Sequence, residues 1–400
     1  MTNYLAGGVN SPIPIPQYYP NNIVMGKGPY VIDDKNNKYI DMWMGYGALL
    51  FGHADKDITK TARETLTKGW FYSYQTKIEK DLSKILHKHI PSAEVIRYAT
   101  TGSDAVAYAI RVARFYTKRE KVLSIKGGYH GVHEGMISTK GTTINIKPEY
   151  INFNNEKEAY DKLKKNDFAC LILEPILANS GCTPPKKGYL KKLREICDET
   201  GTVLIFDEII NGFRVSIGGS QKRFSVTPDI STFSKAIASG FPLSVIAGKK
   251  TILEGYIPTG EIFFAGTFNG HPLSLAVAKR VIEKLEDGKI HSDLEKLGKT
   301  FRREISAHID KINANASVQG IASMFTIAFG CKGFTQGIIN ENYNVQAYNI
   351  FINRLAKKKI LFPPLPTETV FLSKVHEPLA SDILTIIKTT LTDMKKEGII

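Results

Sequence analysis

Two residues that could form a covalent catalytic site end two strongly apolar runs of the sequence. Lys235 ends the run DISTFSK, and Asp207 ends TVLIFD 28 positions earlier (235 − 207). A lysine at the end of a buried strand loses hydration, which lowers its pKa and frees the amine to form an imine. A buried carboxylate needs a partner, and a protonated pyridine nitrogen would provide one. Taken singly, the lysine could be an ordinary solvated side chain and Asp207 a helix cap.

The string TTGSD at 100–104 lies between the apolar run VIRYA and a helical pattern. Gly102 lets a backbone approach a ligand closely, and a helix start offers unpaired N–H groups with a favourable dipole. The hydroxyls of Thr101 and Ser103 add donors, so a phosphate could bind here. The alternative is simple helix capping, for which Ser and Thr are common.

An aromatic residue flanked by glycines follows another apolar run. In GGYHG at 127–131, directly after KVLSIK, Tyr129 could lie flat over a planar ring, at the strand end where open α/β sheets bind ligands. The alternative is a turn with a packed tyrosine.

Pyridoxal 5′-phosphate (PLP) requires four features together: a phosphate cradle, a stacking aromatic, a partner for its ring nitrogen and an imine-forming lysine. The combination therefore predicts PLP as the cofactor.

Short apolar runs alternate with helical patterns between about residue 95 and residue 250. Unbroken apolar runs are typical of strands that are buried on both faces of a parallel sheet. Segments with helical spacing lie between them, such as 104–116 and 188–201, where Gly201 provides a helix stop. This alternation predicts an α/β fold with a mostly parallel central sheet. The apolar runs are VIRYAT, KVLSIKG, ACLILEP, TVLIFDE and DISTFSK.

The two ends of the chain show other patterns. Residues 28–42 contain two strand-like runs around an Asn-rich turn, which predicts a hairpin. A long helical pattern covers 271–288, and the pattern at 317–329 predicts a strand. A smaller α/β domain built from both chain ends is the simplest interpretation.

Chain length and composition bear on domain number and cellular compartment. Because 400 residues exceed what one simple core usually holds, we expect a large PLP-binding domain at 60–270 and a small domain from 1–59 and 271–400. Because no apolar run approaches membrane-spanning length and no basic stretch with an apolar core stands near the start, we expect neither a membrane span nor a secretory signal. Four scattered cysteines without a C-x-x-C pair favour free thiols in the cytoplasm over disulfides or a metal site.

The formal net charge of +14 is the unusual bulk feature. It could reflect nucleic-acid binding, an anionic substrate or only solubility. The lysines are spread along the chain, and no recognised nucleic-acid-binding motif accompanies them. We therefore expect no nucleic-acid partner and no membrane partner.

Nine strings follow one another along nearly the whole chain in an order typical of one enzyme family. They are GGVNSP, GYGALLFGHA, TTGSDAVAYAIRVAR, GGYHG, LEP with ANSG, LIFDEIINGFR, TPDISTFSKAIASGFP, AGTFNGHPL and ETVFLS. With them the sequence resembles the class III (fold type I) PLP-dependent aminotransferases, and within that class most closely the glutamate-1-semialdehyde 2,1-aminomutases. The segment from Asp207-Glu208 to Ser234-Lys235 is the most specific part of this resemblance. The resemblance implies the PLP-dependent transferase fold type I.

The resemblance also implies roles for the residues that match the family motifs. Lys235 would carry the cofactor as a Schiff base and shuttle protons at the substrate carbon. Asp207 would hold the pyridinium nitrogen, and Tyr129 would stack on the ring. By the same matching, the other residues expected around the cofactor are Thr101, Gly102, Ser103, His130, Glu174, Asn179 and Ile209.

Further matches concern a second subunit and the substrate. Thr267 is similar to a family threonine that reaches the phosphate of the neighbouring subunit, which implies a homodimer with shared active sites. Ser11 and Tyr46 match positions on the substrate side of the site. Glu368 matches a family glutamate near the amino groups of the substrate.

Departures from the family pattern concern the substrate. The aminomutases usually read GGVNSPVR, with the arginine paired to the substrate carboxylate, but this chain reads GGVNSPIP with Pro14 in that place. Tyr46 stands where the family has a tryptophan, and the segment after GGYHG is short. Losing a bidentate carboxylate clamp removes a large share of selective binding.

We therefore expect a PLP-dependent aminotransferase that moves an amino group between an amino donor and a ketone or aldehyde acceptor through pyridoxamine phosphate. The alternative is glutamate-1-semialdehyde 2,1-aminomutase, an isomerase that makes 5-aminolevulinate with the same chemistry. More remote alternatives are a PLP-dependent epimerase or decarboxylase, and a regulator that binds nucleic acid without catalysis.

Overall fold

The structure, a computed structural model, describes residues 4–5, 10, 13, 15–133, 147–338 and 341–400. The strands in this part of the chain are β1 (Ile23–Lys27), β2 (Tyr30–Asp33), β3 (Lys38–Asp41), β4 (Val95–Ala99), β5 (Lys121–Ile125), β6 (Glu149–Ile151), β7 (Phe168–Leu173), β8 (Val203–Asp207), β9 (Ile230–Phe233), β10 (Ser244–Gly248), β11 (Ala316–Ile321), β12 (Met324–Phe329), β13 (Ile360–Leu361) and β14 (Val370–Phe371).

The helices of the same ranges fall between and around these strands. They are α1 (Met44–Gly47), α2 (Lys56–Leu66), α3 (Lys77–His89), α4 (Gly102–Thr117), α5 (Glu156–Leu163), α6 (Tyr189–Thr200), α7 (Gly219–Phe224), α8 (Lys250–Leu253), α9 (Pro272–Leu285), α10 (Lys289–Lys311), α11 (Val345–Lys357) and α12 (Ala380–Lys396). None of the described helices combines the length and the apolar character needed to cross a bilayer.

The central sheet has the strand order β4-β10-β9-β8-β7-β5-β6. From β9 to β6 all neighbouring strands are parallel, whereas β10 is antiparallel to both β9 and β4. Each of the five predicted apolar runs forms one of these strands, and the prediction of an α/β fold with a mostly parallel sheet is confirmed. The sequence analysis did not predict β6 or β10.

Two core layers explain why these strands are apolar at successive positions. Strand β7 is buried throughout. Its Cys170 and Ile172 pack in the cluster that contains helix α4, while Leu171 and Leu173 pack on the opposite face with helix α6. Because successive side chains of a strand point to opposite faces, both sets must be apolar. Helix α6 ends as predicted, with Gly201 in the left-handed region at φ 61°.

Two smaller sheets contain strands from the ends of the chain. The sheet β1-β2-β3-β13 pairs the predicted hairpin of β2 and β3 with a strand from the C-terminal third, and the other small sheet is β11-β12-β14. The segment 317–329 forms a hairpin rather than one strand, because the chain turns at Ala322 (φ 52°) and Ser323. No Gly, Asn or Pro marks that turn, so the sequence pattern concealed it. The domain boundaries at residues 60 and 270 stay a prediction.

Candidate active site

Two adjoining cavities open at the carboxyl-terminal edge of the central sheet. The smaller has a volume of about 180 Å³. The larger has a volume of about 910 Å³, which is within the range of small-molecule sites. Both are lined by Tyr129 after β5, Asn179 after β7 and Lys235 after β9. The carboxyl ends of parallel strands are where open α/β sheets bind ligands.

Most of the residues predicted from the sequence meet at these cavities. The smaller cavity is lined by Thr101, Gly102, Ser103, Tyr129, Glu174, Asn179, Asp207, Ile209 and Lys235. Tyr46 and Glu368 line the larger one. The roles expected of these residues stay predictions.

Lys235 lies two residues after the end of β9, where it begins a 3₁₀ turn with a φ of 48°. Such a left-handed conformation is uncommon for a residue with a side chain and is typical of functional sites. Burial lowers the pKa of the Lys235 ammonium group, and Glu174, Glu368 and Asp207 act in the opposite direction. Burial thus favours the neutral amine that imine formation needs.

Asp207 is the last residue of β8 and is 2% exposed. Its Oδ1 accepts the N–H of Ile209 at 3.1 Å, and its Oδ2 lies 2.7 Å from Nδ1 of His130. The chain itself therefore provides one partner for this buried carboxylate, which the sequence analysis missed because the two residues are 77 positions apart. Asp207 also lines the smaller cavity, where a cationic ring nitrogen could pair with it.

The start of helix α4 combines a side-chain cap with backbone N–H groups that precede the first intrahelical hydrogen bond. Oγ1 of Thr101 accepts the N–H of Asp104 at 3.2 Å and donates to its carboxylate at 2.8 Å, so this hydroxyl is engaged in capping. Gly102 and Ser103 precede the first intrahelical bond, from the Ala105 N–H to the Thr101 carbonyl. Their N–H groups, at a helix N-terminus, are the donors suited to a phosphate.

Glu174 holds two residues that line both cavities. Its Oε1 accepts the backbone N–H of Tyr129 at 3.0 Å and the side-chain amide of Asn179 at 2.8 Å. Its Oε2 accepts the backbone N–H groups of Ala178 and Asn179. Burial raises the pKa of the Glu174 carboxyl despite these donors. The sequence analysis placed Glu174 in the pocket without this linking function.

The larger cavity carries the substrate-side candidates. Tyr46 has a left-handed backbone at φ 57°, and its ring contacts that of Trp43 with centroids 4.2 Å apart. Burial raises the pKa of the Glu368 carboxyl, and the charge of Lys235 opposes that rise. Glu368 and Lys235 therefore interact electrostatically across the same space.

A buried arginine that the sequence analysis left without a role supports the loop that carries Tyr46. The guanidinium of Arg214 donates to the carbonyl of Gly47 at 2.7 Å, to Oγ of Ser323 at 3.0 Å and to the carbonyl of Leu372 at 3.0 Å. Burial lowers its pKa to about 9. The arginine ends the string LIFDEIINGFR, and this motif was the only sequence signal for it.

Two of the predicted residues that the structure describes do not line these cavities, and a third lies outside the described residues. His130 is 3% exposed and lies behind Asp207 rather than at the cavity surface. Thr267 is exposed and lines neither cavity of its own chain, which leaves its expected contact with a second subunit a prediction. Ser11 lies outside the described residues, as does Pro14.

The residues at the smaller cavity fit PLP. Lys235 offers an amine, Asp207 a buried carboxylate, Tyr129 an aromatic face, and the start of α4 its backbone donors. When bound, the cofactor supplies an aldehyde carbon that condenses with amines and a ring that accepts electrons. Within the described ranges, no group of three or more His, Cys, Asp or Glu side chains could hold a metal ion.

The sequence matches the protein family described as Aminotransferase class-III over residues 16–343. The chain belongs to the class III aminotransferases. Members of this family are PLP-dependent enzymes, so the predicted cofactor and the predicted enzyme class are confirmed.

Two relatives carry the name glutamate-1-semialdehyde 2,1-aminomutase. The one from Methanosphaera stadtmanae is 37% identical over 98% of this chain and 97% of its own length. The one from Sulfolobus acidocaldarius is 36% identical over 99% of this chain and 97% of its own. These names agree with the alternative drawn from the sequence better than with the leading expectation of separate amino donors and acceptors.

Solved structures share the fold of this class III chain. An omega-transaminase from Sphaerobacter thermophilus superposes with a TM-score of 0.90 at 25% identity, over 98% of this chain and 95% of its own. A glutamate-1-semialdehyde-aminomutase from Pseudomonas aeruginosa PAO1 superposes with a TM-score of 0.84 at 18% identity, over 96% and 90%. The second likeness bears on the fold alone, and the predicted PLP-dependent transferase fold is confirmed.

Proposed function

We propose that this class III enzyme is a glutamate-1-semialdehyde 2,1-aminomutase. It would move the amino group of glutamate 1-semialdehyde from carbon 2 to carbon 1 and so make 5-aminolevulinate. Substrate and product contain the same atoms, so no separate amino donor is consumed. The observation that carries the proposal is an identity of 36% and 37% to two aminomutases along nearly the full length of each chain.

The geometry of the larger cavity is compatible with an exchange inside one molecule. Such an exchange needs a group that moves protons at two neighbouring carbons. It also needs a hydrogen-bond acceptor for an amino group of the substrate. Lys235 and Glu368 both line this cavity and interact electrostatically. Lys235 would move the protons, and the Glu368 carboxylate would accept hydrogen bonds from a substrate ammonium group.

A specific observation favours a second candidate, an aminotransferase with separate donor and acceptor. Among the described residues that line the two cavities, Lys235 is the only lysine or arginine. By the resemblance to the aminomutases, Pro14 also stands at the position of an arginine that would pair with the substrate carboxylate. A substrate carboxylate would lose a charge-assisted partner there, whereas a substrate without one would lose nothing.

A single-substrate assay tests the two candidates against each other. The PLP-loaded enzyme is given glutamate 1-semialdehyde with no other amine or carbonyl compound, and 5-aminolevulinate is followed over many turnovers. Sustained conversion supports the aminomutase. No conversion, together with loss of the cofactor's visible absorbance when other amines are added, supports the aminotransferase and overturns the aminomutase.

Pro14→Arg adds the group whose absence favours the second candidate. If the substrate is glutamate 1-semialdehyde and its carboxylate is weakly held, kcat/KM should rise by about tenfold or more, since a charge-assisted hydrogen bond contributes roughly 1.5–3 kcal/mol. Pro16→Arg, two positions further, is the control and should leave kcat/KM unchanged. An unchanged kcat/KM in Pro14→Arg would mean that the carboxylate is bound elsewhere.

We further propose a homodimer in which Thr267 completes the site of the neighbouring subunit. The segments around Thr267 and after α2 expose aromatic side chains, and the rings of Phe71 and Phe268 contact each other with centroids 5.7 Å apart. An exposed apolar patch of this kind is typical of an interaction surface. The patch consists of Phe71 and Phe268 with the neighbouring exposed residues Trp70 and Tyr72.

Mixed dimers test the shared site. Lys235→Ala subunits lack the amine, and Thr267→Val subunits should bind PLP weakly. A dimer of one of each would contain one site with both residues intact, so coexpression should give more activity than the mean of the two separate variants. Activity equal to the mean of the separate variants would contradict the shared site, and a monomer in sedimentation experiments would contradict the dimer.

A further inference from the structure

Trp43, which stands three residues before Tyr46, has a buried indole nitrogen. Nε1 of Trp43 has no hydrogen-bond partner at normal distance among the described residues. A buried N–H group loses its hydration, so a group of this kind without a partner in a native fold calls for an explanation. The indole ring contacts the ring of Tyr46, which lines the larger cavity. The free donor therefore lies beside the space where we expect the substrate.

The backbone around Trp43 is held on both sides. The N–H of Trp43 donates to Oδ1 of Asp41 at 2.8 Å, and its carbonyl accepts the N–H of Gly47 at 3.0 Å. All four residues from Met44 to Gly47 have left-handed conformations, with φ between 50° and 85°. Such a run is uncommon, and strained backbone of this kind is typical of functional sites. The direction of the indole is thus set by a constrained loop.

Glu368 belongs to a segment that runs beside this loop. The N–H of Phe371, in β14, donates to the carbonyl of Met42 at 2.9 Å, which brings the residues just before β14 next to Trp43. Oγ1 of Thr326 donates to the backbone carbonyl of Glu368 at 3.3 Å. The two segments that carry the indole and the carboxylate are therefore anchored side by side.

The carboxylate of Glu368 is the acceptor that the indole of Trp43 faces. Burial raises the pKa of the Glu368 carboxyl, whereas the charge of Lys235 and the N–H of Trp43 lower it. Burial also raises the pKa of the Tyr129 and Tyr348 hydroxyls, and the charge of Glu368 adds to both rises, so these two groups are neutral at neutral pH. Among the described groups, Lys235 thus provides the charge and Trp43 the hydrogen-bond donor.

We propose that Trp43 is a positioning residue, whose indole N–H holds the Glu368 carboxylate in the larger cavity as the acceptor for the ammonium group of the substrate, while its ring supports that of Tyr46. The part played by Glu368 toward the substrate rests on the proposed function. The contact between Trp43 and Glu368 does not, and a measurement without substrate tests it separately.

Tryptophan emission of the PLP-loaded enzyme provides that measurement. The chain has two tryptophans, so Trp70→Phe leaves the emission of Trp43 alone. As the pH falls from about 8 toward 4.5, the ordinary value for a glutamate, protonation of Glu368 removes the charge beside the indole and the emission maximum should shift. In Trp70→Phe combined with Glu368→Gln it should stay constant, because glutamine is neutral at every pH. An equal shift in both proteins, or no shift in either, would overturn the proposal.

Trp43→Phe removes the N–H and keeps an aromatic ring beside Tyr46. Without this donor Glu368 should take up its proton at a higher pH. The low-pH limb of kcat/KM for glutamate 1-semialdehyde should therefore move upward by about one pH unit, and it should disappear in Glu368→Gln. Loss of packing alone would lower kcat/KM without moving the limb, so an unchanged midpoint in Trp43→Phe would refute the positioning role.

Trp70→Phe is the matched control for the loss of an indole N–H. Trp70 is exposed and lines neither cavity, so this variant should keep the wild-type midpoint, and an equal move there would count against Trp43. If the enzyme does not convert glutamate 1-semialdehyde, the limb is recorded instead as the rate at which an added amine removes the visible absorbance of the cofactor. An emission maximum that responds to Glu368 in such an enzyme would overturn the aminomutase and leave the contact with Trp43 intact.

Discussion

Oε1 of Glu174 lies 3.0 Å from the backbone nitrogen of Tyr129, so the carboxylate that follows β7 holds the aromatic residue that follows β5. The same oxygen accepts the side-chain amide of Asn179 at 2.8 Å. Because Tyr129 and Asn179 both line the two cavities, one buried acid determines the position of two walls of the site.

Glu174→Gln should weaken PLP binding. An amide has one acceptor oxygen where the carboxylate has two, so backbone N–H groups that Glu174 now satisfies would remain unpaired, at about 1–3 kcal/mol each. We expect the PLP dissociation constant to rise by about tenfold, measured by absorbance titration. Glu158 likewise accepts a backbone N–H, that of Asn152 at 2.9 Å, but lines neither cavity. Glu158→Gln should leave PLP binding unchanged, and a similar loss there would contradict the assignment.

Lys235→Ala should remove both the visible absorbance of the lysine-bound cofactor and the turnover. No other lysine among the described residues lines either cavity, so no neighbouring amine can take its place. The measurements are an absorbance spectrum after PLP addition and a turnover assay. Lys250 is exposed at the start of α8, and Lys250→Ala should keep both properties. Retention of the absorbance in Lys235→Ala would refute the covalent attachment.

Arg214→Lys should raise KM more than it lowers kcat. A lysine cannot reach the carbonyls of Gly47 and Leu372 and the hydroxyl of Ser323 together, so the loop with Tyr46 would lose its support. Each lost charge-assisted bond contributes roughly 1.5–3 kcal/mol, so the melting temperature should also fall. Steady-state kinetics and thermal unfolding check this.

Arg302→Lys is the matched control for Arg214→Lys. Arg302 also donates to backbone carbonyls, those of Ala322 and Met324, but it does not contact the Tyr46 loop through a described hydrogen bond. Arg302→Lys should lower the melting temperature without changing KM. If both variants raise KM equally, general destabilisation rather than support of the loop explains the effect.

Glu208 should make the protein less stable as pH rises from about 4.5 to about 7. Burial raises the pKa of its carboxyl from 4.5 to about 7, although the N–H groups of Ser220 and Gln221 oppose the rise. In this window the folded state keeps a proton that the unfolded state has lost, so the contribution of Glu208 is complete below pH 4.5 and disappears through pH 7. The linkage amounts to roughly 3 kcal/mol over that range.

The comparison of wild type with Glu208→Gln isolates this contribution, because glutamine is neutral at every pH. The melting temperature of the wild type should fall relative to that of Glu208→Gln as pH rises from 5 to 8. If the melting temperature of the wild type rises relative to that of Glu208→Gln over this range, the two backbone donors outweigh burial.

The local pattern of apolar residues in the sequence was sufficient to predict much of the fold. The five apolar runs became strands of the central sheet because a strand that is covered on both faces must be apolar at successive positions, and that requirement is visible in a few letters. The turn inside 317–329 was hidden, since Ala322 takes up its left-handed conformation without a glycine or asparagine to mark it.

The residues with reactive groups could likewise be read from the sequence, but their partners could not. Lys235 and Asp207 are visible because a lysine or an acid at the end of an apolar strand is unusual by itself. That His130 pairs with Asp207, 77 positions away, and Arg214 with Gly47, 167 positions away, was decided only by the tertiary structure. Hydrogen bonds act over about 3 Å, so strand order, which brings distant segments to one sheet edge, determines which groups can meet.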